Sequence, residues 1–341
     1  MKYNLLGNTG LKVSELCLGT MTFGGRGMWK AIGTMPQKEV DELVKKAVDG
    51  GINFIDTANV YSEGLSEEMT GKAFRNLGLK RDDLVLATKV RGSMGEGPND
   101  SGLSRKHIIQ QANESLKRLD TDYIDLYQIH GFDALTPMEE TLYALDNLVQ
   151  SGKVRYIGCS NLAAWQLMKF LGISACEHIS KFVSLQAYYT IAGRDLEREV
   201  VPLLKDQQVG LLVWSPLAGG LLSGKYDRES SAGDGRRDNF DFPPVDKEKA
   251  FDIVDVMREI ADNKNVSVAQ IALAWLLHQS VVTSVIIGAK KQQQLDDNLA
   301  SVNVDFTDEE LKKLDEVSRL SPEYPGWMLE HQTGSRKKEQ D

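Results

Sequence analysis

GINFIDTANVYSEGLSEEMTGKAF, residues 51–74, holds one complete unit of the fold. INFID (52–56) is an apolar run of strand length closed by an acid. DTANVYSEG is a short polar loop, and Ser66 followed by Glu67 and Glu68 suits a helix N-terminus. The same strand, loop and helix recur along the whole chain. The other strand-like runs are VSELCLGT (13–20), LVLATKV (84–90), YIDLYQIH (123–130), RYIGCS (155–160), FVSLQAYY (182–189), GLLVWSPL (210–217) and TSVIIGA (283–289). Between them, apolar residues fall at helical spacing, as in Val40, Leu43, Val44, Ala47 and Val48, or Ile108, Ile109, Ala112, Leu116 and Leu119. Ser104 and Thr136 with Pro137 mark further helix starts, and Gly50, Gly51 and Gly152 mark helix ends.

Eight alternations without a break in composition predict an α/β chain folded as a single-domain (β/α)8 TIM barrel. Its expected extent is residues 1–320, with 321–341 a C-terminal extension whose polar end, HQTGSRKKEQD, is polar enough to be disordered. A doubly wound sheet needs fewer strands and usually a GxGxxG turn after the first, and GTMTFGG lacks that spacing. The stretch SSAGDGRRDNFDFPP (230–244) reads as a long loop after the seventh strand.

The chain has 341 residues, 41% hydrophobic and 26% charged, a globular balance. Its net charge of −9 argues against a nucleic-acid surface, though not against a local basic patch for a phosphate. Cys17, Cys159 and Cys176 have no metal-ligand spacing, and the first and second sit in apolar strand-like runs as inert thiols. No segment is apolar and long enough to cross a bilayer, and the start lacks an apolar signal core, so a cytoplasmic protein is expected.

Parallel barrels build their sites at the carboxyl ends of the strands. Four residues fall there: Asp56 closing INFID, Tyr61 five positions on, Lys89 in LVLATKV and His130 closing YIDLYQIH. A phenol is a poor acid at neutral pH, but a neighbouring ammonium favours the phenolate. Lys89 can be that ammonium, Asp56 can hold it charged, and His130 can donate to a carbonyl oxygen or relay a proton. Such a set protonates a carbonyl, which points to an oxidoreductase. A metal-dependent barrel hydrolase would need several His and carboxylate ligands at strand ends, and this chain has only five histidines.

With these residues in hand, the chain resembles the aldo-keto reductases over roughly residues 1 to 320. GINFIDTANVYSEGLSEEMTGKAF, VRYIGCSN, LLVWSPLAGGLLSGKY and IIGAKKQQQLDDNL all resemble family segments, and the spacing of Asp56, Tyr61, Lys89 and His130 matches the family's tetrad. The resemblance implies an NADPH-dependent reduction of an aldehyde or ketone, with Tyr61 the general acid and no metal. It implies that Gly19, Thr20 and Met21 line the nicotinamide ribose. Ser160, Asn161 and Gln186 then hold the carboxamide, while Trp214 stacks under the ring. Ser215, Leu217, Gly219, Leu221 and Lys225 would face the pyrophosphate. Lys290 and Lys291 would meet the 2′-phosphate, Gln294, Asp297 and Asn298 the adenosine end, and Gly288 would also line the cofactor site. Many members carry arginine where Gln294 stands, so here the phosphate grip rests on the two lysines, and NADH remains the alternative cofactor. Some relatives are cofactor-sensing channel subunits, which makes a regulatory subunit with little turnover the competing reading.

The aromatic residues Phe23 and Trp29, with Met28, lie outside any strand-like run and are expected to wall a substrate pocket, with Tyr324 to Trp327 as a lid. Natural substrate and oligomeric state are left open by the sequence.

Overall fold

The structure is a computed structural model that describes residues 1–228, 237 and 240–337. In chain order the strands are β1 (Tyr3–Leu5), β2 (Lys12–Ser14), β3 (Leu16–Gly19), β4 (Phe54–Asp56), β5 (Val85–Val90), β6 (Ile124–Ile129), β7 (Val154–Ser160), β8 (Phe182–Tyr188), β9 (Gly210–Trp214) and β10 (Val282–Ile287). The helices are α1 (Gln37–Asp49), α2 (Leu65–Asn76), α3 (Arg105–Leu119), α4 (Met138–Gln150), α5 (Ala164–Glu177) and α6 (Leu196–Gln207), then α7 (Lys247–Lys264), α8 (Val268–Leu277), α9 (Gln292–Ala300), α10 (Asp308–Ser318) and α11 (Gly326–Lys337).

Strands β3 to β10 close a barrel in chain order, and each neighbouring pair is parallel. This is the (β/α)8 TIM barrel expected from the pattern. The first expected strand, 13–20, divides in two. Its first half is β2, which pairs antiparallel with β1, and only Leu16–Gly19 joins the barrel. Glu15 marks the break, its N–H donating to the Lys2 carbonyl at 3.0 Å. The β1–β2 hairpin closes the amino end, where Asn4 Nδ2 donates to the Thr283 carbonyl at the start of β10 (2.9 Å).

Period-two alternation sorts the strand side chains. Cys17, Phe54, Val85, Ala87, Leu126, Leu212 and Ile286 fill the barrel and pack with Leu6 and Val13 of the hairpin region. Leu18, Ile55, Leu86, Ile129, Ile157 and Val285 face outward against Val40, Leu43, Val44, Ala112 and Leu142 of the helices. Each fully buried Leu, Ile or Val contributes roughly 1.5–3 kcal/mol relative to exposure. One inward slip of register would exchange these two sets, which is why the pattern fixes it.

Helix starts are partly as read. Ser104 caps α3, accepting the His107 N–H at 3.3 Å. Ser66 instead lies inside α2, whose cap is Gly64, because its hydroxyl turns inward to the Thr20 carbonyl (2.8 Å). Thr136 precedes the Pro137 cap of α4 and donates to Asp133 Oδ2 (2.7 Å). Strand β9 stops at Trp214 because Ser215 adopts φ +51°. Most of the loop read over 230–244 lies outside the described residues. The tail expected to be disordered runs helically through Lys337 as part of α11, and residues 338–341 lie outside the described residues.

Candidate active site

The upper inner layer of the barrel is polar. Asp56, Lys89, Gln128 and Gln186 are all buried, on β4, β5, β6 and β8. The Lys89 ammonium donates to Asp56 Oδ2 (2.5 Å), the Thr57 carbonyl (2.9 Å) and the Tyr61 hydroxyl (3.4 Å). Its three protons therefore have three acceptors. On the other carboxylate oxygen, Asp56 Oδ1 accepts amide N–H groups from Gln128 (3.0 Å) and Gln186 (2.9 Å). Burial pulls the Lys89 ammonium toward its neutral form, but the Asp56 charge and then Tyr61 outweigh it and hold it above the ordinary lysine value. Lys89 is thus a fixed cation beneath the phenol.

Tyr61 is aimed by an uncommon turn. Ser62, Glu63 and Gly64 take φ values of +48°, +56° and +90° in succession. Left-handed conformations of side-chain-bearing residues cost on the order of 1 kcal/mol or more each and persist only where the surroundings over-determine them. Here the Ser62 hydroxyl donates to the Phe23 carbonyl (2.9 Å) and accepts the Gly25 N–H (2.9 Å), tying the turn to the loop after β3. That same loop carries Trp29, whose ring meets the Tyr61 ring edge-on at 5.2 Å.

His130 completes the group. Its ring lies edge-on to Tyr61 at 5.9 Å between centroids. Desolvation, then the Lys89 and Arg91 cations, lower its pKa to about 3, so it is a neutral imidazole at ordinary pH. The four residues predicted from strand ends do converge. Gln128 was missed, although its signal was present: Leu126, Gln128 and His130 alternate inward in YIDLYQIH.

The other predicted positions form a track around the mouth. Gly19 ends β3, Met21 follows it half-buried, and the Thr20 hydroxyl turns inward to Ser66 Oγ (2.9 Å). Ser160 donates to the Gln186 carbonyl (2.8 Å). Asn161 donates to the His130 carbonyl (3.1 Å) and accepts the Trp214 indole N–H (3.0 Å), so it joins the imidazole strand to the indole. Phe242 lies parallel to Trp214, with centroids 5.9 Å apart at 7°, and Tyr188 is tilted against it at 5.2 Å. Ser215 Oγ accepts the Gly219 N–H (3.0 Å), opening the Ala218–Ser223 turn that carries Leu221. Leu217 caps that turn, Gly219 and Gly220 take φ +68° and +99°, and Lys225 is exposed beyond it. A Cβ on Gly219 would meet the Phe242 carbonyl at 2.7 Å, so only glycine fits.

At the end of β10, Gly288, Lys290 and Lys291 are exposed beside the start of α9. Gln294 Oε1 accepts the N–H groups of Lys290 (2.9 Å) and Lys291 (3.2 Å), folding back as a cap. Asp297 faces α8, accepting from Ser267 (2.8 Å) and Gln270 (2.7 Å), and Asn298 Nδ2 lies 3.5 Å from the Gly288 carbonyl.

The expected pocket wall needs one correction. Phe23 is fully buried in the core and contributes only its carbonyl, because its loop folds back over α2. Trp29 does reach the phenol, and Met28 is largely exposed. Tyr324 and Trp327 are exposed and pack edge-on at 6.1 Å. Their segment is tied to α6, where Arg198 pairs with Glu323 (3.1 Å). Phe132 and Trp165, an edge-on pair at 6.3 Å just past His130 and Asn161, were not anticipated. Among the described residues no cluster of three or more His, Cys, Asp or Glu side chains could hold a metal.

The family model for the aldo/keto reductase family matches residues 15–319. An uncharacterised oxidoreductase of Bacillus subtilis (strain 168) is 39% identical over 325 residues, covering 93% of this chain and 96% of that protein. A versiconal hemiacetal acetate reductase of Aspergillus parasiticus is 36% identical over 346 residues, covering 96% and 99%. An Arabidopsis thaliana protein described as a "Probable voltage-gated potassium channel subunit beta" is 37% identical over 335 residues, covering 95% and 99%. With its closed barrel and its match over nearly the whole length, the chain belongs to the aldo/keto reductase family.

Proposed function

We propose that the protein reduces an aldehyde or ketone to an alcohol with NADPH, using Tyr61 as the proton donor. The observation that carries this reading is the buried Lys89 ammonium, paired with Asp56 and 3.4 Å from the Tyr61 hydroxyl. As a carbonyl oxygen gains negative charge, Tyr61 passes its proton to it, and the adjacent cation stabilises the phenolate left behind. Neutral His130 donates an N–H to the same oxygen and fixes its position. A reduced nicotinamide, when bound, supplies the hydride to the carbonyl carbon.

The residues present fit such a cofactor. Polar side chains at the ends of β7 and β8 (Ser160, Asn161, Gln186) suit a carboxamide, and Gly19, Thr20 and Met21 suit a ribose. The Ser215–Leu221 turn has glycines where a pyrophosphate needs close backbone approach. Lys290 and Lys291 at the start of α9 suit a 2′-phosphate, where cation and helix dipole act together. Gln294, occupied as a cap, leaves that role to the lysines, which favours NADPH over NADH. We assign residues 1–320 to the catalytic barrel and 321–341 to a C-terminal extension, within the cytoplasm.

The test is to follow absorbance at about 340 nm with NADPH or NADH and a reactive aldehyde such as 4-nitrobenzaldehyde, whose electron-poor carbonyl accepts hydride and proton readily. No aldehyde-dependent oxidation of either cofactor, with tight cofactor binding, would instead support the regulatory-subunit reading. That reading has the likeness to the channel-subunit relative in its favour.

A further inference from the structure

Arg91 stands two residues past Lys89, where β5 opens into the loop toward α3. Its φ is +153°, a positive value that residues with a side chain rarely adopt. Its Nε donates to the Phe132 carbonyl (2.9 Å), which lays the guanidinium across Gly131, where an added Cβ would lie 3.5 Å from Arg91 Cδ. Gly131 directly follows His130, and the Arg91 charge is one of those acting on the His130 imidazole. The side chain is exposed, and among the described residues it has no salt bridge and no hydrogen bond from either Nη. Asp133 also feels its charge, yet the Asp133 oxygens are engaged elsewhere. Oδ1 accepts the Leu135 N–H (3.0 Å), and Oδ2 accepts the Leu103 N–H (2.8 Å) and the Thr136 hydroxyl (2.7 Å).

An exposed arginine is ordinarily a solvated one, with a swinging side chain on relaxed backbone. Arg91 has neither property. Its backbone is held where glycine would be more comfortable, and Nε is pinned to the Phe132 carbonyl, which fixes the guanidinium over Gly131, the residue that follows His130. Strain of this kind clusters at ligand contacts. The whole chain carries a charge of −9, so an anion would otherwise be repelled, and a fixed guanidinium supplies a local exception.

We propose that Arg91 is a specificity residue that binds the carboxylate of an oxo-acid substrate whose carbonyl lies at Tyr61 and His130. The planar fork matches a carboxylate with two parallel hydrogen bonds. A phosphate dianion fits less well, since one guanidinium beside Asp133 leaves it undercompensated. This assignment rests on the reductase reading above and narrows it to a substrate class.

The test compares ω-oxo carboxylates from glyoxylate to 5-oxopentanoate with their methyl esters, using NADPH and the full-length protein. In the wild type the acid should exceed its ester in kcat/KM for at least one chain length by about tenfold or more, the scale of charge-assisted hydrogen bonds. Arg91→Gly should erase that preference through the KM of the acid, with ester kcat/KM falling far less than acid kcat/KM; glycine accepts the φ but forfeits the Nε–Phe132 hydrogen bond, so Tm is measured alongside. Arg91→Lys should keep part of the preference. Equal effects on acid and ester, or a wild type that prefers the ester at every length, would overturn the assignment. If no carbonyl is reduced at all, the reductase reading fails by itself. Calorimetric binding of 4-oxobutanoate and its ester then decides the matter: acid binding lost in Arg91→Gly supports the site, and binding independent of Arg91 removes it.

Discussion

Replacing His130 by glutamine should change how stability responds to acid. In an unfolded chain the imidazole titrates near 6.5, whereas burial and the Lys89 and Arg91 cations lower the folded value to about 3. The folded pKa is the depressed one, so between these values the unfolded state binds the extra proton. The neutral histidine's contribution is therefore intact above pH 6.5 and is lost as pH falls toward 3. With these two values the linkage costs about 2 kcal/mol at pH 5 and only about 0.2 kcal/mol at pH 7. Urea unfolding at both pH values, on wild type and His130→Gln, isolates this group, because every other titration is common to the two proteins. The wild type should lose about 2 kcal/mol more than the variant on going from pH 7 to pH 5. Parallel losses would show that His130 charges as easily in the fold as in water, and the neutral-donor role would go with it.

Tyr61→Phe removes one oxygen and should lower kcat by roughly 10²–10⁴-fold with cofactor affinity nearly constant, and retention of most turnover would take Tyr61 out of the chemistry. Gln128→Leu removes one of two amide donors on Asp56 Oδ1 and should cost about 1–3 kcal/mol in urea unfolding. It should also shift the alkaline limb of the reduction profile upward, since a less compensated carboxylate makes the phenol hold its proton longer; an unmoved limb would make Gln128 purely structural. Lys290→Ala with Lys291→Ala should weaken NADPH binding by about 1–3 kcal/mol and leave NADH nearly unaffected. Equal weakening of both would show that the two lysines do not read a phosphate.

The barrel was legible because parallel strands buried on both faces are nearly continuous apolar runs, and eight of them alternate with helical patterns. The β1–β2 hairpin was not, since VSELCLGT is one apolar run to the eye. The break at Glu15 depends on its pairing with Lys2, a partner thirteen residues away. The acid, lysine, phenol and imidazole were legible as polar endings to apolar strands. Gln128 escaped because a polar residue inside a strand becomes meaningful only once the inward face is known. Arg91 escaped because its significance lies in a backbone angle. Phe23 was misassigned for the opposite reason: an aromatic in a glycine-rich loop looks exposed until the loop is seen folded over α2.

The three thiols are distributed in a way that suits contact with carbonyl compounds. Cys17 lies inside the barrel below Asp56, where burial first and then the carboxylate push its pKa well above the ordinary thiol value. Cys159 faces the helices, and burial alone does the same. Aldehydes and their unsaturated derivatives attack proteins through thiolates, and a thiol kept protonated and walled off is a poor target. Only Cys176, near the end of α5 and remote from the carboxyl ends of the strands, is exposed. The two interior thiols are thus kept protonated and out of reach of an electrophile at the barrel mouth, and the exposed thiol, Cys176, sits at a helix end away from the candidate site.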